Sequence, residues 1–263
     1  MINNFYKSII RFLLKWSAKV YILRIKPHAI FIAGTVGRHW VKESVAEALM
    51  EKNFPVRANK KNFNAEIGLP LSILDLPSGE GSFILWLKII YRAIQKAFRA
   101  KASMTKEFLV LEAAVDRPDG MKYLLSVVKP KTVILTGITM IYAENFENLD
   151  EIALEYKTLL KSLPWNGLAI LNFDDERIKN LAESSDRRII SYGFSKDVDF
   201  SIEHFQKVSD GQKLEIKINH LAKKVLVKIG RFGRHHIYAA LVKEIIKENF
   251  KISAIDFFKQ IQD

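Results

Sequence analysis

A glycine-rich turn followed by two basic side chains is the first stretch of this sequence in which chemistry is expected. Residues 31–43 read FIAGTVGRHWVKE, so an apolar run enters a turn bounded by Gly34 and Gly37, and a helical pattern leaves it. Backbone N–H groups at such a turn and helix start cradle phosphate. A working phosphate loop adds a lysine for the terminal phosphates and a hydroxyl for magnesium. Those two positions hold Arg38 and His39 in this chain.

The two replacements change the chemistry that the turn can support. Arg38 keeps a positive charge but has a larger, planar head group. His39 offers a ring nitrogen, whereas magnesium strongly prefers oxygen ligands. From this stretch alone, a phosphate site and a purely structural turn are equally good interpretations.

The overall composition narrows the possible partners. The chain has 263 residues, of which 41 are basic and 29 acidic, giving a formal net charge of +12. This surplus favours nucleotides, nucleic acid or an anionic membrane as partners, and nucleic acid is the least favoured because no recognition motif accompanies the charge. The sequence contains no cysteine, which excludes disulfides and thiolate metal sites and is typical of a reducing compartment.

Two helical patterns, over residues 4–25 and 83–101, each carry a regular stripe of basic residues. The stripes are Lys7, Arg11, Lys15 and Lys19 in the first and Lys88, Arg92, Lys96 and Arg99 in the second. Each pattern fits a helix docked on the domain with solvated charges, or a helix lying in the interface of an anionic membrane. The N-terminal charges argue against a secretory signal and a spanning helix. We therefore expect a cytoplasmic chain, with the inner membrane face as a further place of attachment.

The order of apolar runs predicts the fold class. Strand-like runs alternate with helical patterns up to about residue 194, which predicts an α/β fold with a mostly parallel sheet flanked by helices. From residue 198 to 229 the apolar period changes to two, interrupted by Asp210 and Gly211, which predicts a small antiparallel section. A helix and a last short helix over residues 253–262 follow. The expected division is an N-terminal basic amphipathic helix over residues 1–26 and a central domain over residues 27–263.

Further stretches follow the glycine turn in a characteristic order. They are NFNAEIGLP (62–70), LVLEAAVDRP (109–118), TGITMIYAENF (136–146), AILNFDD (169–175) and GRHHIYAAL (233–241). Together they resemble the central ATPase domain of the Mur ligase family, most of all the members that join D-alanyl-D-alanine to a UDP-muramoyl tripeptide. The resemblance covers residues 28–248. It implies a P-loop NTPase-like fold, ATP and magnesium as cofactors, and a relationship to the ATP-dependent amide ligases that build peptidoglycan precursors.

The resemblance also implies roles for particular residues. It assigns nucleotide binding to the glycine turn and to three later positions, a substrate loop to the second stretch, and one metal ligand to a strand end. The implied nucleotide-binding residues are Gly34, Thr35, Val36, Gly37, Arg38, His39, Asn172, Asp175 and His235. The implied substrate-loop residues are Asn62, Asn64 and Glu66, and the implied metal ligand is Glu112.

Departures from the family pattern fall on the catalytic positions. Besides Arg38 and His39, the family's metal-binding histidine falls on Tyr142, and its carbamylated lysine falls on Tyr156, with Lys157 one residue away. Two late asparagines become His236 and Ala239. Of the implied metal-site positions, only Glu112 is kept. These changes predict a chain that has lost phosphoryl transfer and keeps a weak nucleotide or phosphate pocket.

The family's flanking domains have no counterpart in this sequence, so a partner that supplies them, or a ligase subunit, is one expected partner. An anionic membrane bound through residues 4–25 and 83–101 is another. Two alternatives to a pseudoenzyme remain open from the sequence. One is an active ATP-dependent ligase or ATPase that needs a partner chain, and the other is a membrane-surface adaptor.

Overall fold

The computed structural model of the chain describes residues 4–59, 63, 66–80, 82–101, 106–140 and 145–250. The helices in this part are α1 (Asn4–Ile25), α2 (Arg38–Met50), α3 (Gly68–Ile73), α4 (Phe83–Arg99), α5 (Gly120–Val127), α6 (Leu149–Lys161), α7 (Glu176–Glu183) and α8 (Arg234–Asn249). The strands are β1 (His28–Ala33), β2 (Val56–Ala58), β3 (Phe108–Ala113), β4 (Thr132–Leu135), β5 (Leu168–Asn172), β6 (Arg188–Gly193), β7 (Phe200–Val208), β8 (Gly211–Ile218) and β9 (Lys223–Ile229).

All of these strands form one sheet in the order β2-β3-β1-β4-β5-β6-β7-β8-β9. Neighbours from β2 to β7 run parallel, whereas β7, β8 and β9 pair antiparallel. The predicted mostly parallel α/β fold with an antiparallel section near residues 198–229 is therefore confirmed. The antiparallel strands continue the parallel sheet through the β6–β7 pair instead of forming a separate unit.

The sheet separates two helical layers. Successive side chains of a strand point to opposite faces, so Phe31 of β1 lies in one core cluster and Ile30 and Ile32 lie in the other. The first cluster includes residues of α1 and of α3 to α7. The second includes residues of α2, α8 and the antiparallel strands. Each face of the central strands is thus covered by helices, as their continuous apolar runs require.

Helix α1 belongs to this architecture because its inner side is part of the first core cluster. Ile10, Leu14, Ala18 and Tyr21 of α1 are all buried there. The sequence predicted this helix with the bounds that the structure gives, residues 4–25. The division at residue 26 into helix and central domain stays a prediction.

Two short elements, β2 and α7, are absent from the sequence-based prediction. Strand β2 has three residues and forms by pairing with β3, a contact that the local sequence does not indicate. Helix α7 has eight residues and begins at Glu176, and the side chain of Asp175 before it accepts hydrogen bonds from the N–H groups of Arg177 and Ile178. The short helix predicted over residues 253–262 lies outside the described residues. Within the described ranges, every helix is too short or too polar to cross a bilayer.

Candidate nucleotide site

The glycine turn lies between β1 and α2, at the edge of the sheet where parallel strands end. Strand β1 has β3 on one side and β4 on the other, so later strands are added to the sheet in opposite directions from this point, although both neighbours run parallel to β1. Such a switch point is the usual place for a ligand in an open α/β sheet. The turn is tied to the end of β4, since Thr35 N donates to Gly137 O over 2.8 Å and Thr136 Oγ1 donates to Val36 O over 2.6 Å.

Gly34 is required by this close approach. Its φ angle of +124° is one that other residues rarely adopt, and a Cβ atom built on it would lie 2.4 Å from Thr136 Oγ1. Gly37 also has a positive φ, +77°, and immediately precedes α2 without any side-chain cap on the helix. The first backbone N–H groups of a helix have no partner within it. The turn therefore keeps the backbone arrangement that binds a phosphate group.

Arg38 folds back over this turn. Its Nη1 donates to the Gly34 carbonyl oxygen, while its Nε is buried without a hydrogen-bond partner among the described residues. A buried guanidinium N–H with no acceptor is costly, and an anion in the turn is the kind of acceptor it lacks.

Glu112, at the end of β3, faces cationic and imidazole groups. Its Oε1 atom lies 3.1 Å from Lys42 Nζ and 3.6 Å from His39 Nδ1. The Lys42 side chain is only 2% exposed, and its ammonium group also donates to Asn59 O over 2.8 Å. Asn59 in turn accepts from Glu112 N over 2.8 Å through its side-chain oxygen. Lys42, Glu112 and Asn59 thus form a buried polar network under the turn.

Magnesium does not fit this network. The ion takes oxygen ligands in octahedral geometry, and Glu112 Oε1 already contacts a buried ammonium group. In the part of the chain that the structure describes, no three His, Asp or Glu side chains are grouped so that they could hold a metal. The backbone of the turn has a shape that suits phosphate, whereas the described side chains around it are not grouped as a magnesium site.

Asn172 and Asp175 lie at the end of β5 and brace the segment after β4. Asn172 Nδ2 donates to Thr136 O over 2.8 Å, and Asp175 Oδ2 accepts from Ile138 N over 2.6 Å. The other oxygen of Asp175 caps α7. Both residues therefore lie near the turn, and their polar atoms hold its neighbouring segment in position. Their assignment to nucleotide binding stays a prediction.

A cavity of about 260 Å³ opens beside the turn, between α2 and the start of α8. It is lined by Val36, Gly37, Val41, Thr136, Arg234, His235 and Tyr238. Tyr238 donates a hydrogen bond to Asp174 Oδ2 over 2.8 Å. Burial, together with this contact to the Asp174 carboxylate, raises the pKa of Tyr238 to about 12. His235, predicted from the sequence, is thus brought together with the glycine turn.

The start of α8 also forms an aromatic cluster on Trp40, which sequence reasoning did not single out. His236 lies against Trp40 with ring centroids 4.5 Å apart, and the Arg231 guanidinium lies over the same ring at 4.3 Å. Burial, followed by the nearby charges of His235 and Arg231, lowers the pKa of His236. One feature of the sequence could have indicated this cluster. Trp40 lies three residues after Gly37, and His236 lies three residues after Gly233.

Glu66, predicted in a substrate loop, connects α1 to the rest of the domain. Its carboxylate accepts from Arg11 over 2.7 Å and from Arg117. Burial opposes ionisation, but the hydrogen bonds from Arg11 and Arg117 outweigh it and lower the pKa of Glu66. Asn62 and Asn64, the other two substrate-loop predictions, lie outside the described residues.

The residues that depart from the family pattern differ in how deeply they are buried. Tyr156 of α6 is fully buried in the first core cluster, and Lys157 beside it is half-buried. Ala239 is buried on α8. Tyr142 lies outside the described residues. Tyr156 and Ala239 therefore lie in the packed interior in this structure.

Sequence and structure comparisons both match this chain to Mur ligases. The D-alanyl-D-alanine-adding UDP-N-acetylmuramoyl-tripeptide ligase of Rickettsia prowazekii is 21% identical over 238 residues, which cover 87% of this chain and 46% of the relative. MurF from Acinetobacter baumannii has the same fold, with a TM-score of 0.72 at 15% identity, covering 95% of this chain and 49% of that protein. The MurF ligase from Thermotoga maritima, solved in complex with ADP, gives a TM-score of 0.71 at 18% identity and covers 94% and 51%.

The chain spans less than half the length of the curated relatives it matches. The family model of the Mur ligase middle domain matches residues 92–243, which is more than half of the chain and begins after the glycine turn. The resemblance inferred from the ordered motifs is confirmed, and this chain belongs to the Mur ligase family through its middle domain.

Proposed function

We propose that this chain is a Mur ligase middle domain that binds the phosphates of a nucleotide at residues 34–37 and does not transfer a phosphoryl group on its own. Phosphoryl transfer depends on precisely placed positive charge and on metal ions that bridge the phosphates. The cradle of backbone N–H groups is kept here, while the residues that would hold the metal are replaced except for Glu112. Binding is therefore expected to survive and turnover to be lost.

The observation that carries this proposal is the set of contacts made by Glu112. Its Oε1 lies 3.1 Å from the buried Lys42 ammonium group and 3.6 Å from the His39 ring. In the family pattern, the position of His39 holds a hydroxyl. An imidazole there faces the carboxylate without adding an oxygen ligand, and a divalent cation beside Lys42 would meet like charge.

Nucleotide binding is supported by the cradle, the adjoining cavity and the ADP found in the Thermotoga maritima relative. The cavity beside Gly37 has an apolar wall from Val36 and Val41 and polar groups from Arg234 and His235. This mixture suits a nucleoside attached to phosphates. The chemistry of a whole ligase, including an amino-acid or peptide substrate, would require groups that are not among the described residues.

The proposal is tested by nucleotide-induced stabilisation. ADP and ATP are added to the purified chain with and without magnesium, and thermal unfolding is followed together with release of inorganic phosphate. A ligand at 100 times its dissociation constant adds about 2.7 kcal/mol to the free energy of unfolding. We expect stabilisation that is independent of magnesium and no phosphate release above the uncatalysed level.

Arg38→Ala is the matching variant, and Arg92→Ala, at an exposed position on the opposite side of the sheet, is its control. We expect the first to weaken nucleotide binding and the second to leave it unchanged. No stabilisation by either nucleotide would refute binding. Phosphate release that depends on magnesium and is abolished in Arg38→Ala would instead indicate an active enzyme of altered type.

A further inference from the structure

Helices α1 and α4 share an outer surface with an unusual combination of side chains, and we propose that this surface binds an anionic lipid membrane. We name it the α1–α4 face. Its exposed apolar residues are Tyr6, Ile9, Phe12, Trp16 and Leu23 on α1 and Phe83, Ile84, Leu85, Leu87, Tyr91 and Phe98 on α4. Its basic residues without an ion pair among the described residues are Lys7, Lys19, Arg24, Lys88, Arg92 and Arg99. Lys15 lies at the edge of the face, where its ammonium group is 4.8 Å from the centre of the Tyr123 ring.

The α1–α4 face is held together by direct contacts between the two helices. The rings of Tyr6 and Phe83 pack edge to face with centroids 5.7 Å apart, and those of Trp16 and Phe98 lie 5.6 Å apart. Arg24 donates to the Phe98 carbonyl oxygen. Because the inner sides of both helices are buried in the first core cluster, the face is presented by a fixed part of the fold.

The apolar exposure of this face is large. Of the 20 exposed large hydrophobic residues among those described, 11 lie on α1 and α4, although these helices contain only 22 and 17 residues. Leu23 is 73% exposed, Tyr91 68% and Phe12 67%. Contiguous exposed apolar surface of this kind marks a site of association with a protein or a membrane.

Apolar and basic side chains form neighbouring rows along α4. Leu87, Tyr91 and Phe98 are exposed at helical spacing, and each is followed by a basic residue, Lys88, Arg92 and Arg99 respectively. One residue corresponds to about 100° around a helix, so the basic row lies beside the apolar row. A helix in a membrane interface has this arrangement, with apolar groups among the acyl chains and basic groups at the head groups.

The positive charge of the α1–α4 face favours an anionic lipid surface over a second copy of the chain as its partner. The two helices contain nine basic residues and no acidic residue, so they account for nine of the twelve net positive charges of the chain. A second copy of the chain would bring an equal positive charge to the same surface. Anionic head groups neutralise these charges, and the aromatic and aliphatic side chains enter the interface without any helix crossing the bilayer.

Vesicle co-sedimentation tests the proposal. The purified chain is mixed with vesicles of phosphatidylcholine alone or with phosphatidylglycerol, at low and at high salt. We expect binding to the anionic vesicles that weakens with salt, and little binding to the neutral ones. The triple variant Lys88→Gln, Arg92→Gln, Arg99→Gln is expected to bind anionic vesicles about 100-fold more weakly, because each basic residue near the surface contributes about fivefold.

A matched control variant distinguishes binding through the α1–α4 face from a general effect of net charge. Lys161→Gln, Lys179→Gln, Lys223→Gln removes the same charge at exposed positions elsewhere, and we expect it to bind like the parent. Circular dichroism and thermal unfolding check that each variant is folded. No binding to anionic vesicles at low salt, or equal losses in the two triple variants, would overturn the proposal. The proposal would also be overturned if the chain does not bind vesicles and instead forms a dimer that the double variant Leu87→Ser, Tyr91→Ser disrupts.

The fluorescence of Trp16 measures membrane contact at the α1–α4 face itself. Its ring is 41% exposed beside Phe98, and the chain has three other tryptophans. We expect a blue shift of the fluorescence on addition of anionic vesicles and quenching by brominated lipid, both absent in Trp16→Phe. A parent chain that sediments with vesicles but shows the same spectral change in Trp16→Phe would place the contact elsewhere and refute the assignment to this face.

Discussion

The two sides of the phosphate turn differ in how they are held. On the incoming side, Thr35 and Val36 are fixed by backbone and hydroxyl hydrogen bonds to the residues that follow β4. On the outgoing side, Lys42 and Glu112 are fixed by an ion pair of buried side chains. The incoming side keeps a shape that suits phosphate, whereas the outgoing side has polar groups that bind one another. Under the proposed function, a phosphate-binding backbone is kept beside side chains that no longer suit the chemistry.

The largest effect on stability is expected from Lys42→Met, which removes the buried ion pair on the outgoing side. Removing one partner of a buried ion pair leaves the other charge uncompensated and costs about 3–5 kcal/mol. We expect the free energy of unfolding, measured by urea denaturation, to fall by that amount. The double variant Lys42→Met, Glu112→Gln should recover part of it.

Lys228→Met is the control for this change, since its ion pair with Asp210 is exposed and solvent screening leaves such pairs little effect on stability. If Lys42→Met and Lys228→Met lower the stability equally, the outgoing side does not stabilise the fold, and the contrast between the two sides fails.

A smaller loss, of about 3 kcal/mol, is expected from Gly34→Ala on the incoming side. The new Cβ atom would lie 2.4 Å from Thr136 Oγ1, and the positive φ angle adds strain. Nucleotide-induced stabilisation should also disappear. Gly230→Ala, where a Cβ would meet only Asp210 O at 3.9 Å, should leave both measurements nearly unchanged. A Gly34→Ala chain with parental stability would show that the turn tolerates a different backbone.

The smallest effect concerns the wall of the cavity and appears only at high pH. Burial and Asp174 raise the pKa of Tyr238 from 10.0 to about 12, so the folded state retains the phenolic proton more strongly than the unfolded state does. This contribution to stability is complete below pH 10 and is lost as the pH rises toward 12.

Urea denaturation at pH 8, 10 and 11.5 measures this loss. We expect a shallower decline in Tyr238→Phe than in the parent. Some decline should remain, because burial also raises the pKa of Tyr192 and Tyr123. Tyr91→Phe, at an exposed position on α4, serves as the comparison. Equal declines in Tyr238→Phe and the parent would mean that Tyr238 is not held by Asp174 at high pH.

Local patterns were sufficient for the main elements and insufficient for the contacts between them. The apolar run of β1, the glycines and the helical period of α2 predicted strand, turn and helix without tertiary information. The ion pair between Lys42 and Glu112 joins residues 70 positions apart, so it depends on β1 lying next to β3. The approach of Gly34 to Thr136 likewise depends on β4 being the other neighbour. A single sequence does not fix that strand order, which the structure gives.

The sheet described above also has a directional consequence for attachment. Helices α1 and α4 cover one side of it, and α2 and α8 cover the other. If the first pair rests on a bilayer, the thickness of the sheet stands between the lipid and the second pair. The opening beside Gly37 would then be turned toward the surrounding solution, where a diffusing nucleotide or a second polypeptide could reach it without competing with phospholipid.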